Sequence, residues 1–253
     1  MMANDANSKK NPKWVTSYSR VTFKEAEKRL GIRIDKIRAV PVDVMITDSI
    51  AILESAGIDK NKIDTIKEDV YYHIYQYLDI EGYPMDATSD FKESNISDLV
   101  LYIIGPIISA IKKVRPEILL RREKEIVSVD EVTGGIEEFL VVDQVAITEE
   151  KSVLIIEAKR ASIGQAITQI LLAMKDARDT NSGGIIYGFV TTGEDWRMLS
   201  YDGGEFVITE KFTVLFDTMR DGKERWLQQN AAIVECMLIA LINGDIMMNP
   251  VAV

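Results

Sequence analysis

Apolar residues recur at three- and four-residue intervals through the first third of the chain. Ile63, Ile66, Val70, Ile74 and Tyr77 share one face of a helix predicted within DKNKIDTIKEDVYYHIYQYLDIEG. TFKEAEKRLG carries both punctuation marks of a shorter helix: Thr22 as N-cap, Glu25 three places on, and Gly31 after the last turn. PVDVMITDSIAILESAG continues with mixed apolar spacing and stops at Gly57. Residues 14–90 are therefore expected to form a helical N-terminal region. The polar leader before it, 1–13, is expected to be disordered. The loop-like EGYPMDATSDFKESN marks the boundary with a second region, 91–253.

That second region opens with SDLVLYIIGPIISAIKKV, a helix predicted to be capped by Ser97 and kinked at Gly105-Pro106. From Glu117 the period changes. EILLRREKEIVSV, IEEFLVVDQVAI and SVLIIEAKR read as three strands, with Thr133-Gly134-Gly135 turning the first pair. GQAITQILLAMKDARD reads as a helix, GGIIYGFVTT as a fourth strand, and WRMLSYDGGEFVIT as a hairpin around Asp202-Gly203-Gly204. A strand meander followed by a helical crossover predicts an α/β fold: a central mixed β-sheet flanked by helices, with a helical N-terminal extension. The tail, DGKERWLQQNAAIVECMLIALING, predicts one long amphipathic helix that packs on the core or forms a homodimer interface.

Composition narrows the chemistry. A single cysteine, Cys236, excludes disulfides within the chain and cysteine zinc fingers, and suits an intracellular setting in cytoplasm or nucleus. A single histidine, His73, lies among tyrosines on a helix and is assigned to packing or surface. The first residues lack an apolar signal core, and no uncharged apolar run reaches about 18 residues, so neither secretion nor a membrane span is expected. The net charge of −10 opposes nonspecific attraction to a phosphate backbone but is compatible with an acidic site that takes a cation.

Such a site is suggested by VVDQVAITEEKSVLIIEAKR. Charged groups interrupt the two most apolar strands, where solvation is poorest. With alternating faces, Glu157 and Lys159 project together. If Glu149-Glu150-Lys151 forms the hairpin loop, Asp143 lies directly opposite Glu157. A slip of one residue would move Asp143 to the other face. Two carboxylates that close need a cation between them, and oxygen-only ligands suit Mg²⁺ or Mn²⁺. With Lys159 alongside, the set describes metal-assisted hydrolysis of a phosphodiester.

An Asp on one strand, a short hairpin, the Glu-x-Lys of IIEAKR and a helix opening with Gln together resemble the PD-(D/E)XK nuclease superfamily. The resemblance covers roughly residues 93–201 and implies a restriction-endonuclease-like αβββαβ core. It implies Asp143 and Glu157 as metal ligands, the main-chain carbonyl of Ala158 as a further ligand, and Lys159 as the catalytic lysine. Gln165 matches the polar residue at the start of the next helix, with Gln169 one turn later. Glu93 is the implied acidic contribution of the first core helix, with Asp98 as the alternative. The chain departs from the pattern in having Val142 rather than proline before Asp143, and Ala173 four places after Gln169.

The expectation is thus a Mg²⁺- or Mn²⁺-dependent nuclease acting on nucleic acid, DNA before RNA because the resemblance favours it. The alternative is a nuclease-like module that binds nucleic acid or an accessory protein without cleaving. Arg121-Arg122, Lys112-Lys113, Lys175 and Arg178 are candidates for a phosphate-binding rim, each weighed against ordinary surface charge. Trp196 is expected to pack on the sheet rather than stack a base.

Overall fold

The computed structural model of the chain describes residues 13–83, 92–160, 163–217 and 219–246, with side chains to 244. The expected leader, except Lys13, and the expected boundary at 90/91 lie outside the described residues. In chain order the elements are β1 (Thr16–Ser17), α1 (Phe23–Leu30), β2 (Arg38–Val40), α2 (Val42–Ser55), α3 (Lys60–Glu81) and α4 (Glu93–Ile111). There follow β3 (Ile118–Val127), β4 (Thr133–Ala146), β5 (Glu149–Ala158), α5 (Ile163–Asn181) and β6 (Ile186–Thr191). The chain closes with β7 (Asp195–Tyr201), β8 (Phe206–Thr209), β9 (Phe212–Thr213), α6 (Lys223–Gln229) and α7 (Ala232–Ile246).

The strands form one mixed sheet in the order β1-β4-β5-β6-β7-β8-β2, with β3 paired to β4 and β9 to β7. β3, β4 and β5 are mutually antiparallel; β5 and β6 are parallel, connected through α5. Helices cover both faces. On one side α5 packs Ala166, Ile170 and Met174 against Leu140, Ile155 and Val190. On the other, α2, α3, α4 and α7 share a core with Phe139, Val141, Leu154 and Ile156. The α5 approach is close: a Cβ on Gly188 would fall 2.7 Å from the Met174 sulfur and 2.9 Å from Ile170 Cδ1, so those side chains would have to shift to admit one.

Local signals hold where expected. Thr22 and Glu25 form a reciprocal capping box on α1, and Gly31 ends it at φ 69°. Asp59 caps α3 by accepting from the Lys62 N–H, and the predicted apolar face of α3 is buried. Asp202 holds the β7–β8 turn by accepting from the N–H groups of Gly204 and Glu205. Trp196 is fully buried, its indole N–H donating to the Gly193 carbonyl.

Four expectations are corrected. The region expected to be a helical extension also supplies β1 and β2, which pair parallel with β4 and β8 and stand at the two ends of the sheet path. Helix α4 starts at Glu93, a turn before Ser97, and Pro106 lies within its continuous length. The tail is two helices rather than one. They separate at Asn230, whose side-chain oxygen accepts from the Leu215 N–H. Finally, the described part of α7 is apolar rather than amphipathic; it packs into the core against α2, α3, α4 and β5, as one of the two expectations for the tail had it. Among the described helices, α4 alone is long and apolar enough to cross a membrane; its Ile96, Leu99, Val100, Ile103 and Ile107 are spent on the internal core.

Candidate active site

The β4–β5 hairpin turns at Ile147-Thr148, and Glu149, Glu150 and Lys151 belong to β5. The ladder pairs Asp143 with Lys151 and Phe139 with Ile156, with irregularities between Val141/Val142 and Gln144/Ala146. The expected Asp143–Glu157 pairing is therefore overturned. The expected loop residues are drawn into the strand because the neighbouring β3 neutralises them: Arg121 and Lys124 both bind the Glu150 carboxylate. Asp143 is engaged elsewhere. Its carboxylate pairs at 3.0 Å with Arg115, a buried side chain that also donates to the Leu241 carbonyl of α7.

The β4–β5 ladder ends at the Phe139–Ile156 pair, and Glu138 and Glu157 follow it, near enough that the Glu157 charge acts on the Glu138 carboxyl. Here β5 parts from β4 and continues beside β6, with Lys159 N–H donating to Thr191 O. The Ala158 N–H, no longer in the β4 ladder, donates to Glu138 Oε2 at 3.2 Å. The other oxygen of Glu138 accepts from the Ser97 hydroxyl of α4. Glu93 stands one turn earlier on the same helix, and its main-chain carbonyl accepts from that same Ser97 hydroxyl. Lys159 completes the group: its ammonium lies 2.9 Å from Glu157 and 3.3 Å from Glu93.

Four residues from three separate segments thus converge: Glu93, Glu138, and the Glu157–Lys159 pair. Three were singled out from sequence; Glu138 was not. Its signal was available in IEEFLVV, where two adjacent acids open the most apolar strand. The remaining candidates lie as follows. Gln165 is exposed and donates to the Ser19 carbonyl, docking the N-terminal segment on α5. Gln169 is buried, and its side-chain oxygen has no hydrogen-bond partner among the described residues. Ala158 is buried beside Thr191 in the β5–β6 ladder. Lys112 donates to the Ile118 carbonyl, Lys175 pairs with Asp179, and Arg178 donates to Gly184.

The electrostatics follow from burial. Burial pushes Glu138 up to about 7, reinforced by the Glu157 charge and opposed by the Ala158 N–H. Glu157 is raised by burial, with Lys159 opposing. Burial alone would lower Lys159, but Glu157 and Glu93 outweigh it and raise the ammonium's pKa. Glu137, the neighbour of Glu138, is almost fully buried and raised well above the carboxylate range, first by burial and then by Glu157. Its Oε2 has no hydrogen-bond partner among the described residues.

Among the described residues, no group of three or more His, Cys, Asp or Glu side chains is arranged to hold a metal ion. Mg²⁺ and Mn²⁺ need fewer protein ligands, since such hard ions keep waters and take one or two carboxylates plus a substrate phosphate. Glu138 and Glu157 fit that demand in donor chemistry. They also fit electrostatically, since burial, reinforced by neighbouring carboxylates, pushes both toward the protonated state, and a bound cation would oppose that push. No family model matches the chain, and no curated protein matches it in sequence.

Proposed function

We propose that this chain is a metal-dependent nuclease of the PD-(D/E)XK type, hydrolysing phosphodiester bonds in nucleic acid, DNA before RNA, within the cell. The order α4, β3, β4, β5, α5, β6, with an antiparallel meander and a parallel crossover, supports the restriction-endonuclease-like core. The observation that carries the reading is the gathering of Glu138 and Glu157 just past the end of the β4–β5 ladder, where the charge of one acts on the other and the Ala158 N–H binds Glu138, with Lys159 between Glu157 and Glu93. In this reading Glu138 takes the role expected of Asp143.

Glu138 and Glu157 would hold Mg²⁺ or Mn²⁺, with the Ala158 carbonyl as a further oxygen donor, while Glu93 stays paired with Lys159. When bound, the ion supplies Lewis-acid polarisation of the phosphate and lowers the pKa of water. Ser97 and the Ala158 N–H fix the Glu138 carboxylate against rotation, as outer partners do for ligating groups. Lys159, held between two carboxylates, donates hydrogen bonds toward charge developing on a phosphate oxygen. The apolar shell of Phe139, Ile156 and Leu99 lowers the local dielectric and strengthens that interaction.

The test is Mn²⁺-dependent cleavage of plasmid and oligonucleotide DNA by the purified chain, with Glu157→Ala and Glu138→Ala as variants. Metal-dependent nicking lost in both variants supports the reading. An intact substrate together with no calorimetric metal binding sinks it. A second reading, a nuclease-like module that binds without cleaving, is favoured by one observation: Lys159 already neutralises Glu157 and Glu93 from within the chain. It predicts DNA or partner binding with no cleavage under any divalent ion.

A further inference from the structure

We infer that the segment 13–40 is a cationic strap whose Arg20, Lys24 and Lys28 bind a nucleic-acid backbone on the α5 side of the sheet, an inference that rests on the nuclease reading above. Charge is divided unevenly along the chain. Residues 13–40 hold eight Lys and Arg against three Asp and Glu, in a protein whose net charge is −10. The strap is amphipathic as folded. Tyr18, Ala26, Leu30, Ile34 and Ile37 pack on the core that α5 shares with Leu140, Ile155 and Val190. Lys24 and Lys28 lie one turn apart on the exposed side of α1, away from the buried Ala26, and the exposed Arg20 precedes them in the single turn Tyr18–Arg20. Arg29 binds Asp130 and Arg33 binds Asp35, whereas Arg20, Lys24 and Lys28 pair with no carboxylate among the described residues. The acids of α1 are engaged locally: Glu25 accepts from Thr22, and Glu27 from the Ile34 N–H. Past Gly31, Lys36 and Arg38 continue the positive charge along a cleft beside Gly204 and Phe206.

The strap is pinned beside the acidic group. Gln165, at the start of α5, donates to the carbonyl of Ser19, the neighbour of Arg20, and α5 is the helix that follows Lys159 in the chain. Tyr18 donates to the buried Asp176 of α5 at 2.8 Å, and the same oxygen accepts from Thr133 of β4 at 3.1 Å. A Cβ on Gly135 would fall 2.5 Å from the Tyr18 ring and 3.3 Å from Glu137 Oε1, so the ring and that carboxylate flank one point on β4. The Glu157 charge acts on Glu137 in turn. Cations without internal partners attract a phosphate backbone and release its counterions, which a protein of net negative charge needs near an acidic site. Nucleic acid suits this face better than a lipid surface does. The strap spends its apolar side on the core and keeps none to enter a bilayer. The exposed ring of Phe23, beside Lys24, suits stacking on a base.

Fluorescence anisotropy of a labelled duplex oligonucleotide, without divalent ions and across a salt series, tests the strap in the full chain. The strap variant carries Arg20→Gln, Lys24→Gln and Lys28→Gln together. A charge-matched control carries Lys60→Gln, Lys113→Gln and Arg225→Gln, exposed residues on or next to α3, α4 and α6, on the other side of the sheet. Thermal melts verify folding of each variant. The strap variant is expected to bind about 10- to 100-fold more weakly and to lose about two to three from the salt slope. The control, and a variant that keeps the charge with Arg20→Lys, Lys24→Arg and Lys28→Arg, should bind like the parent protein. No loss in the strap variant, or an equal loss in the control, overturns the inference, while Mn²⁺-dependent cleavage by the parent keeps the nuclease reading. Binding that depends on the strap, from a parent that cleaves nothing in Mn²⁺, keeps the inference and removes the nuclease reading. A parent that binds no oligonucleotide overturns the inference, and binding to phosphatidylserine vesicles in its place would assign the strap to a lipid surface.

Discussion

The Ser97 hydroxyl donates to Glu138, joining the first turns of α4 to the strand that meets Glu157. The bond fixes one carboxylate oxygen while the Ala158 N–H fixes the other. Ser97→Ala removes the first hold and leaves the second. Loss of an outer partner of this kind costs about 10- to 100-fold in metal affinity. Mn²⁺ titration calorimetry should therefore register a drop of about tenfold for Ser97→Ala, with the melting temperature changed by only a few degrees. Unchanged affinity would remove Ser97 from any role in orienting a ligand.

A second prediction concerns pH. Glu138 titrates near 7 in the fold against an ordinary value of 4.5, because burial and the Glu157 charge disfavour its ionised form. Between those values the folded chain binds more protons than the unfolded chain, so stability falls as pH rises through that window. Glu157 and Glu137 are raised too and act with the same sign. Metal-free protein should melt at a higher temperature at pH 5 than at pH 8, and Glu138→Gln should flatten the difference. Added Mn²⁺ should stabilise the parent protein more at pH 8, since the ion replaces protons at the same oxygens. A melting temperature that rises steadily from pH 5 to 8 without metal would contradict the electrostatic account.

Lys159 separates chemistry from metal binding. Its ammonium touches Glu157 and Glu93, so Lys159→Met leaves both carboxylates in place without their internal counter-charge. Single-turnover cleavage should fall by about 10²–10³-fold, the usual cost of removing one donor to a developing anion. Mn²⁺ affinity should hold or rise, because the ion no longer competes with an ammonium. A variant that loses Mn²⁺ binding as well as cleavage would make Lys159 a structural pin.

Much of this fold was legible because its signals are local. The Thr22–Glu25 capping box, Gly31 and the buried stripe of α3 each depend on residues within a turn or two of one another. Strand identity was legible for the same reason, and with it the placement of Glu157 and Lys159. Register was not. The turn residues depend on whether Glu150 is left in solvent or neutralised, and Arg121 and Lys124 that neutralise it come from another strand. Moving the turn to Ile147-Thr148 slides the pairing by five places and exchanges Asp143 for Glu138. Strands of two or three residues, such as β1 and β2, carry no periodicity and exist only because a sheet edge accepts them. The break between α6 and α7 rests on the Asn230 contact with Leu215, which lies fifteen residues away.

The register makes its own test. Asp143 and Glu138 are five residues apart on one strand, yet they answer to different partners: Asp143 to Arg115, Glu138 to Ser97 and Ala158. Asp143→Asn removes the Asp143 carboxylate from the buried Arg115 while the Leu241 carbonyl still accepts from it. Losing one partner of a buried charge pair costs about 2–3 kcal/mol when other hydrogen bonds persist. Urea denaturation should show that loss for Asp143→Asn, with cleavage per folded molecule within about twofold of the parent. Glu138→Gln should do the reverse: stability equal or higher at pH 8, because an uncompensated buried charge is gone, and no metal-dependent cleavage. Should Asp143→Asn abolish cleavage in protein that remains folded, the acid that partners Glu157 would be Asp143, and the strands would pair five places away from where they are drawn.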